Sequence, residues 1–244
     1  MAFQNNLWYV GISLIFQVGL ALVLAAFLEN MKSKRLSTLL RTVYFLPSLI
    51  SLTVTGLLFT FLYRNDGLLN SLLRVLNLGE WAHGWLGEKE TAIFSVIAVS
   101  QWKSIGYTMM LLIVSIQKIS RDMNEAACID GASKVQTFFH VTVPNIKGMI
   151  KIATMINIAG GLLVFNEIYI MTNGGPYGSS EVLSTLMYKN AFVHGKVGYA
   201  AAIANIILVL SVLFSALQFV SFERGGKGKG RKQPRLSRQG GMSV

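Results

Sequence analysis

The side chains able to do chemistry in this 244-residue chain are few and scattered. Three histidines, His83, His140 and His194, lie far apart, and the single cysteine, Cys128, has no partner for an intrachain disulfide. No cluster of Cys and His has metal-ligand spacing. Glu167 is the one acid well inside an apolar stretch, and no histidine falls in one. The paired acids or Ser–His pair of a hydrolase are therefore missing from those stretches. No G-x-x-x-x-G-K-[ST] phosphate loop occurs; Gly225–Gly230 is rich in Gly and Lys but lies in a tail without strand–helix context. What remains is polar residues set into apolar surroundings: Lys103, Ser104 and Tyr107 in one stretch, and Asn157, Asn166, Glu167 and Tyr169 in another.

The elements that carry them are hydrophobic. The chain is 52% apolar and 14% charged, against about a quarter charged in soluble domains, which marks a membrane protein. Five stretches are long enough to cross the hydrocarbon as helices: 7–28, 43–62, 91–117, 152–171 and 199–222. The segments 29–42, 118–151 and 223–244 hold four, five and seven Lys or Arg, whereas 63–90 and 172–198 hold three and two. The positive-inside rule puts the richer side in the cytoplasm, with the N-terminus out and the C-terminus in. Trp8 and Tyr9, Trp81 and Trp85, and Tyr199 are candidate boundary anchors, although Trp81 and Trp85 equally suit packing within a loop. The first stretch lacks a basic n-region and is too long for a secretory signal. The basic tail 223–244 reads as disordered and solvated, with attraction to anionic lipid as the second reading. Without an aromatic residue after Phe222 it does not read as a nucleic-acid binder.

The segment 118–151 is too long for a tight connection and is not polar throughout. Asp122 or Asn124 suits a helix cap, Glu125 suits the positive end of that helix, and Gly131 suits its end or a close backbone approach. Val135, Phe138 and Phe139 then share one face, and Pro144 is expected to stop this second helix before the next span. Two short helices joined by a bend should lie below the membrane, with apolar residues that require either lipid or another protein as cover.

At these residues the sequence resembles the EAA motif of permease subunits of binding-protein-dependent ABC importers. Glu125-Ala126-Ala127, three residues, Gly131, nine residues, then Val141-x-Val143-Pro144 follow E-A-A-x3-G-x9-I-x-L-P, with valine for isoleucine and leucine. Arg41 to Pro47 resembles the R-x5-P that opens a helix in the sugar-transporting branch, and Asn70 and Trp85-Leu86 fit its outer loop. Met171-Thr172-Asn173-Gly174-Gly175-Pro176 resembles its M-T-x-G-G-P segment, and Gly198-Tyr199-Ala200 the start of its last helix. Members usually carry a further helix and outer segment before the one that matches Leu7–Leu28. This chain starts at that point with the five-span core, or is an N-terminally shortened form.

The resemblance implies an all-α, type I ABC importer permease core in a bacterial or archaeal cytoplasmic membrane. It implies a sugar or oligosaccharide as cargo, on the side of the maltose- and glycerol-phosphate-type permeases, with a glycerophosphodiester as the non-sugar alternative. Glu125, Ala126, Ala127, Asp130, Gly131 and Pro144 would couple to an ATPase, driving alternating access. ATP and Mg would be used by that partner, with no cofactor bound by this chain. Partners implied are a second homologous permease, two cytoplasmic ATPase subunits, an extracytoplasmic solute-binding protein and membrane lipid. Lys103, Tyr107, Asn157, Asn166, Glu167 and Tyr169 are the candidate substrate pathway, with interhelical bonding or boundary anchoring as the plainer reading of each. Lys103 is expected to pair with Glu167 or to line the pathway. An ion-driven secondary transporter would need no EAA loop.

Overall fold

The computed structural model describes residues 1–224, and the regular elements among them are all helices. Helix α1 (Ala2–Glu29) is one rod of 28 residues that loosens into a π turn over Leu14–Leu20. Helix α5 (Ala92–Ile116) runs through the centre and buries more of its surface than the other spans. Ala21, Ala25, Ala26 and Leu28 of α1 pack against Met109, Leu112, Ile113 and Ile116 of α5. Lipid tails are as apolar as leucine, so close van der Waals contact between helices must hold such a pair, and the alanines permit it. A second core joins Tyr9 of α1 to Ile93, Val96, Ile97 and Val99 of α5.

The expected span at 43–62 is instead two helices, α2 (Lys34–Leu49) and α3 (Leu52–Leu62), bent by 96°. Pro47 removes a donor from the last turn of α2, and Ile50 and Ser51 then leave helical geometry, with ψ of 137° and 140°. α2 also starts nine residues before the expected span. Ser33 accepts a hydrogen bond from Leu36 N, Ser37 Oγ donates to Leu28 O at 2.7 Å, and Arg41 pairs with Glu29, so α2 is tied to the end of α1.

Beyond α3, helix α4 (Leu68–Val75) lies in the connection to α5. Asn70 is buried there: its Nδ2 donates to His83 O at 2.9 Å and its Oδ1 accepts from Trp85 Nε1 at 2.7 Å. Trp85 thus packs within the loop, whereas Trp81 is exposed.

After α5 come α6 (Arg121–Ile129) and α7 (Lys134–Thr137), a π turn over Phe138–Thr142, and α8 (Val143–Leu162). Neither Asp122 nor Asn124 caps α6; Ser120 occupies that position, without a side-chain bond. Pro144 does not stop a helix either. It follows directly on the π turn, where the regular i to i−4 bonding is already interrupted, so its missing donor breaks nothing and α7 continues through the π turn into α8.

The expected span at 152–171 is also broken. α8 ends at Leu162, and α9 (Asn166–Met171) follows after three non-helical residues. Helix α10 (Leu183–Tyr188) and a π turn over Lys189–Val193 lead to α11 (Val197–Arg224). Glu223 and Arg224, expected in the tail, close α11, and the rest of the expected tail lies outside the described residues.

By length and apolarity α1, α5 and Val197–Gln218 of α11 can each cross a membrane, and the bent pair α2–α3 makes a fourth crossing if counted as one. The broken α8–α9 segment, expected as a fifth span, is outside that set.

The backbone of α2 passes close to Gly106 of α5, and a Cβ there would collide with the carbonyl of Tyr44. Backbone cannot yield as a side-chain end does, so Gly106→Ala should destabilise the protein by about 1–3 kcal/mol or more. Gly148→Ala, with open space around it, should not. Thermal unfolding in detergent, followed by size-exclusion fluorescence, distinguishes the two.

Candidate functional site

A chamber of about 390 Å³ opens among α1, α5, α8 and α9. Helix α1 contributes Tyr9, Ser13 and Gln17; α5 contributes Ser100, Ser104, Tyr107 and Thr108. Asn157, Gly160 and Gly161 come from α8, and Phe165, Asn166 and Glu167 from the break and the first turn of α9. The break places Asn166 and Glu167 on the chamber wall, and Asn6 bonds the carbonyls that it frees. That side chain is fully buried, with Nδ2 donating to Gly161 O at 2.9 Å and Leu162 O at 3.2 Å. Its Oδ1 accepts from Leu183 N at 2.9 Å, which fixes the start of α10 as well.

Inside the chamber the Tyr9 hydroxyl bonds Ser100 Oγ and reaches Glu167 Oε1 at 3.5 Å. Gln101 Nε2 donates to Ser13 Oγ at 3.1 Å, so α1 and α5 are joined by polar contacts as well as by alanines. Asn157 Nδ2 donates to Ala153 O of its own helix at 2.9 Å. Beside the chamber, Phe165, Tyr169, Tyr188 and Phe192 form a chain of rings with centroids 5.0–5.3 Å apart. Hydroxyls and amides with one carboxylate and neighbouring aromatic faces can hydrogen-bond and stack on a polar, uncharged solute.

Four of the six expected pathway residues, Tyr107, Asn157, Asn166 and Glu167, line this chamber. Tyr169 lies outside it, in the ring chain. Lys103 neither lines it nor forms an ion pair with Glu167 among the described residues. Its Nζ donates to Ile50 O and to Ser48 O, at 2.5 and 3.3 Å, the carbonyls freed where α2 breaks from α3. Tyr9, expected as a boundary anchor, is 5% exposed and sits in the core, while Trp8 beside it is half exposed. The contribution of α1 was missed. Its signal was the run Asn6, Tyr9, Ser13 and Gln17, whose spacings of three and four residues place polar groups on one face of an apolar helix.

The second feature is the elbow of α6 and α7. Glu125, Ala126, Asp130 and Gly131 are exposed and Ala127 is half-buried. Gly131 ends α6 at φ +74°, and a Cβ there would meet nothing within 4 Å. Its role is therefore the left-handed turn rather than close packing. Ser133 then opens α7 with a capping box: Gln136 N donates to Ser133 Oγ at 3.3 Å and Ser133 N to Gln136 Oε1 at 2.7 Å. A shallow pocket of about 360 Å³ lies inside the elbow, between Ala127, Asp130, Gly131, Gln136 and His140.

Residues 17–224 match the family of binding-protein-dependent transport system inner membrane components. The chain belongs to that family. It is 49% identical over 225 residues to the probable ABC transporter permease protein YurN of Bacillus subtilis (strain 168), covering 92% of this chain and 77% of that one. The lactose transport system permease protein LacF of Rhizobium radiobacter is 33% identical over 89% of this chain and 74% of its own. Among solved structures, a chain of a bacterial ABC transporter involved in the import of the acidic polysaccharide alginate superposes with a TM-score of 0.84. It is 25% identical, and the match covers 93% of this chain and 79% of that one. The same fit is found to the bacterial alginate transporter in complex with an alginate pentasaccharide-bound periplasmic protein. The family, the apolar helices and the all-helical fold together make this chain a membrane-embedded ABC permease.

Lys103→Met should strip the freed carbonyls of Ser48 and Ile50 of their charged donor. A hydrogen bond to a charged group contributes about 1.5–3 kcal/mol, so the unfolding temperature in detergent should fall. Lys103→Arg should recover part of the loss.

Proposed function

We propose that this chain is the permease subunit of an ATP-driven importer for a sugar or oligosaccharide in a bacterial or archaeal cytoplasmic membrane. The observation that carries the coupling half of this reading is the elbow. An elbow whose Glu125, Ala126, Asp130 and Gly131 are all exposed, on a family member, is suited to be covered by another protein. The small side chains of Ala126 and Ala127 allow a close backbone approach, and Glu125 offers a charged anchor. That partner is a cytoplasmic ATPase, which supplies ATP hydrolysis with its Mg; two such subunits would serve this permease and a second homologous one. Closure of the ATPase pair would move the elbow, and the chamber would alternate between the two sides. The charge asymmetry of the loops supports five crossings with the N-terminus out, the bent α2–α3 pair and the broken α8–α9 each counting as one.

Sugar as the cargo is supported by the relative named for lactose and by the chamber's own chemistry, hydroxyls and amides beside aromatic rings. The superposition on a transporter seen with a periplasmic protein supports an extracytoplasmic solute-binding partner.

In proteoliposomes carrying the complete transporter, Glu125→Lys and Gly131→Val should cut binding-protein-dependent uptake roughly tenfold, the range of one coupling interaction. Both variants should insert, and Glu125→Lys should keep wild-type thermal stability, whereas Gly131→Val strains the left-handed turn and should also cost about 1–2 kcal/mol of stability. Gly131→Asn, which tolerates a left-handed backbone, should keep most of the uptake. Full uptake with Gly131→Val would remove the elbow from the mechanism.

A further inference from the structure

The apolar stripe after the elbow has a use that ATPase docking does not absorb. Val135 and Phe139 are 65% and 59% exposed, and they face Val23 and Phe27 of α1, which are 53% and 61% exposed. Together with Ala26, Met31 and Phe138 these residues wall a groove of about 570 Å³. The groove follows α1 from Asn30 back to Val23, into the apolar part of the rod. Its open end is rimmed by Lys32 and Lys134, both exposed, and Lys34 and Arg35 follow Lys32 in sequence. Among the described residues no acid lines it. The acid nearest Lys32 in sequence, Glu29, is already engaged by Arg41 and Gln117.

Two cations at the mouth and an apolar wall leading into the hydrocarbon are the chemistry of an anionic headgroup with its acyl chain attached. A water-soluble partner would meet the lysines but could not follow the wall along α1. We propose that this groove binds an anionic phospholipid, its phosphate held between Lys32 and Lys134 and an acyl chain lying along Phe27, Val23 and Phe139. The lipid would fill the gap between the first span and the segment that leaves the elbow.

The test uses the assembled transporter in nanodiscs of equal phosphatidylglycerol and phosphatidylcholine, with one lipid at a time carrying a photoreactive acyl chain. Peptides containing Val23–Met31 and Val135–Phe139 should be labelled from phosphatidylglycerol and much less from phosphatidylcholine. Each lysine near an anionic headgroup is worth roughly a fivefold change in occupancy, so Lys32→Ala should lower labelling by about that factor, and the double variant with Lys134→Ala by more. The Lys32→Arg, Lys134→Arg pair should keep it. Equal labelling from both lipids, or labelling unchanged in the double alanine variant, would overturn the proposal. So would loss of the label to millimolar inorganic phosphate, which would make the site one for the free anion. Cross-links from Phe139→Cys to a partner subunit in place of lipid would show that protein covers the groove.

Discussion

Inside hydrocarbon every backbone carbonyl and amide must find a partner within the protein, and this constraint governs the two places where an expected span breaks. The bend between α2 and α3 frees the carbonyls of Ser48 and Ile50, and the Lys103 ammonium takes both. The break between α8 and α9 frees those of Gly161 and Leu162, and the Asn6 amide takes both. Each irregular stretch is thus completed by one side chain from a different helix. Those two side chains also tie α1 and α5 to the helices that break, so the positions of the breaks and the packing of the bundle are one solution. The chamber is a by-product of the second break, which places Asn166 and Glu167 on its wall.

The same constraint separates what the sequence displayed from what it hid. The apolar stretches at 7–28, 91–117 and 199–222 contain no proline, and they fold as the rods their length predicts. The stretches at 43–62 and 152–171 look equally apolar, but the first breaks just after Pro47, and the carbonyls freed at the two breaks are taken by Lys103 and Asn6, which lie far away in sequence. A polar residue in an apolar stretch signals that something is being satisfied without saying what. Lys103 was therefore visible as unusual, while its role as a carbonyl partner was not. Asn157, Asn166 and Glu167 were legible because they were polar in an apolar stretch. Tyr9 was misjudged because an aromatic near a helix end has two uses, and only the packing of α5 against α1 selects the core.

The elbow was legible for a different reason. Its geometry is local: a glycine at positive φ, then a serine–glutamine capping box three residues apart. Such features depend on neighbours in sequence rather than on tertiary partners, so Gly131 marked the bend, although the Ser133–Gln136 box went unread. Even so, the capping residue of α6 and the fate of Pro144 were decided by where α6 starts and by how α7 enters the π turn.

That entry into the π turn bears on how a movement at the elbow would reach the chamber. From Lys134 through Thr142 to Leu162 the backbone stays helical, so the elbow's second arm and the helix that carries Asn157 are one body. The far end of that body is Gly161–Leu162, the site gripped by Asn6. A displacement applied at Gly131 would therefore arrive at the junction where α1, α9 and α10 meet. The amide that holds the junction makes neutral hydrogen bonds, each of which contributes about 0.5–1.5 kcal/mol, strong enough to set a resting position and weak enough to be remade in another. The rods α1 and α5, locked by alanine contacts, would serve as the frame against which that lever turns.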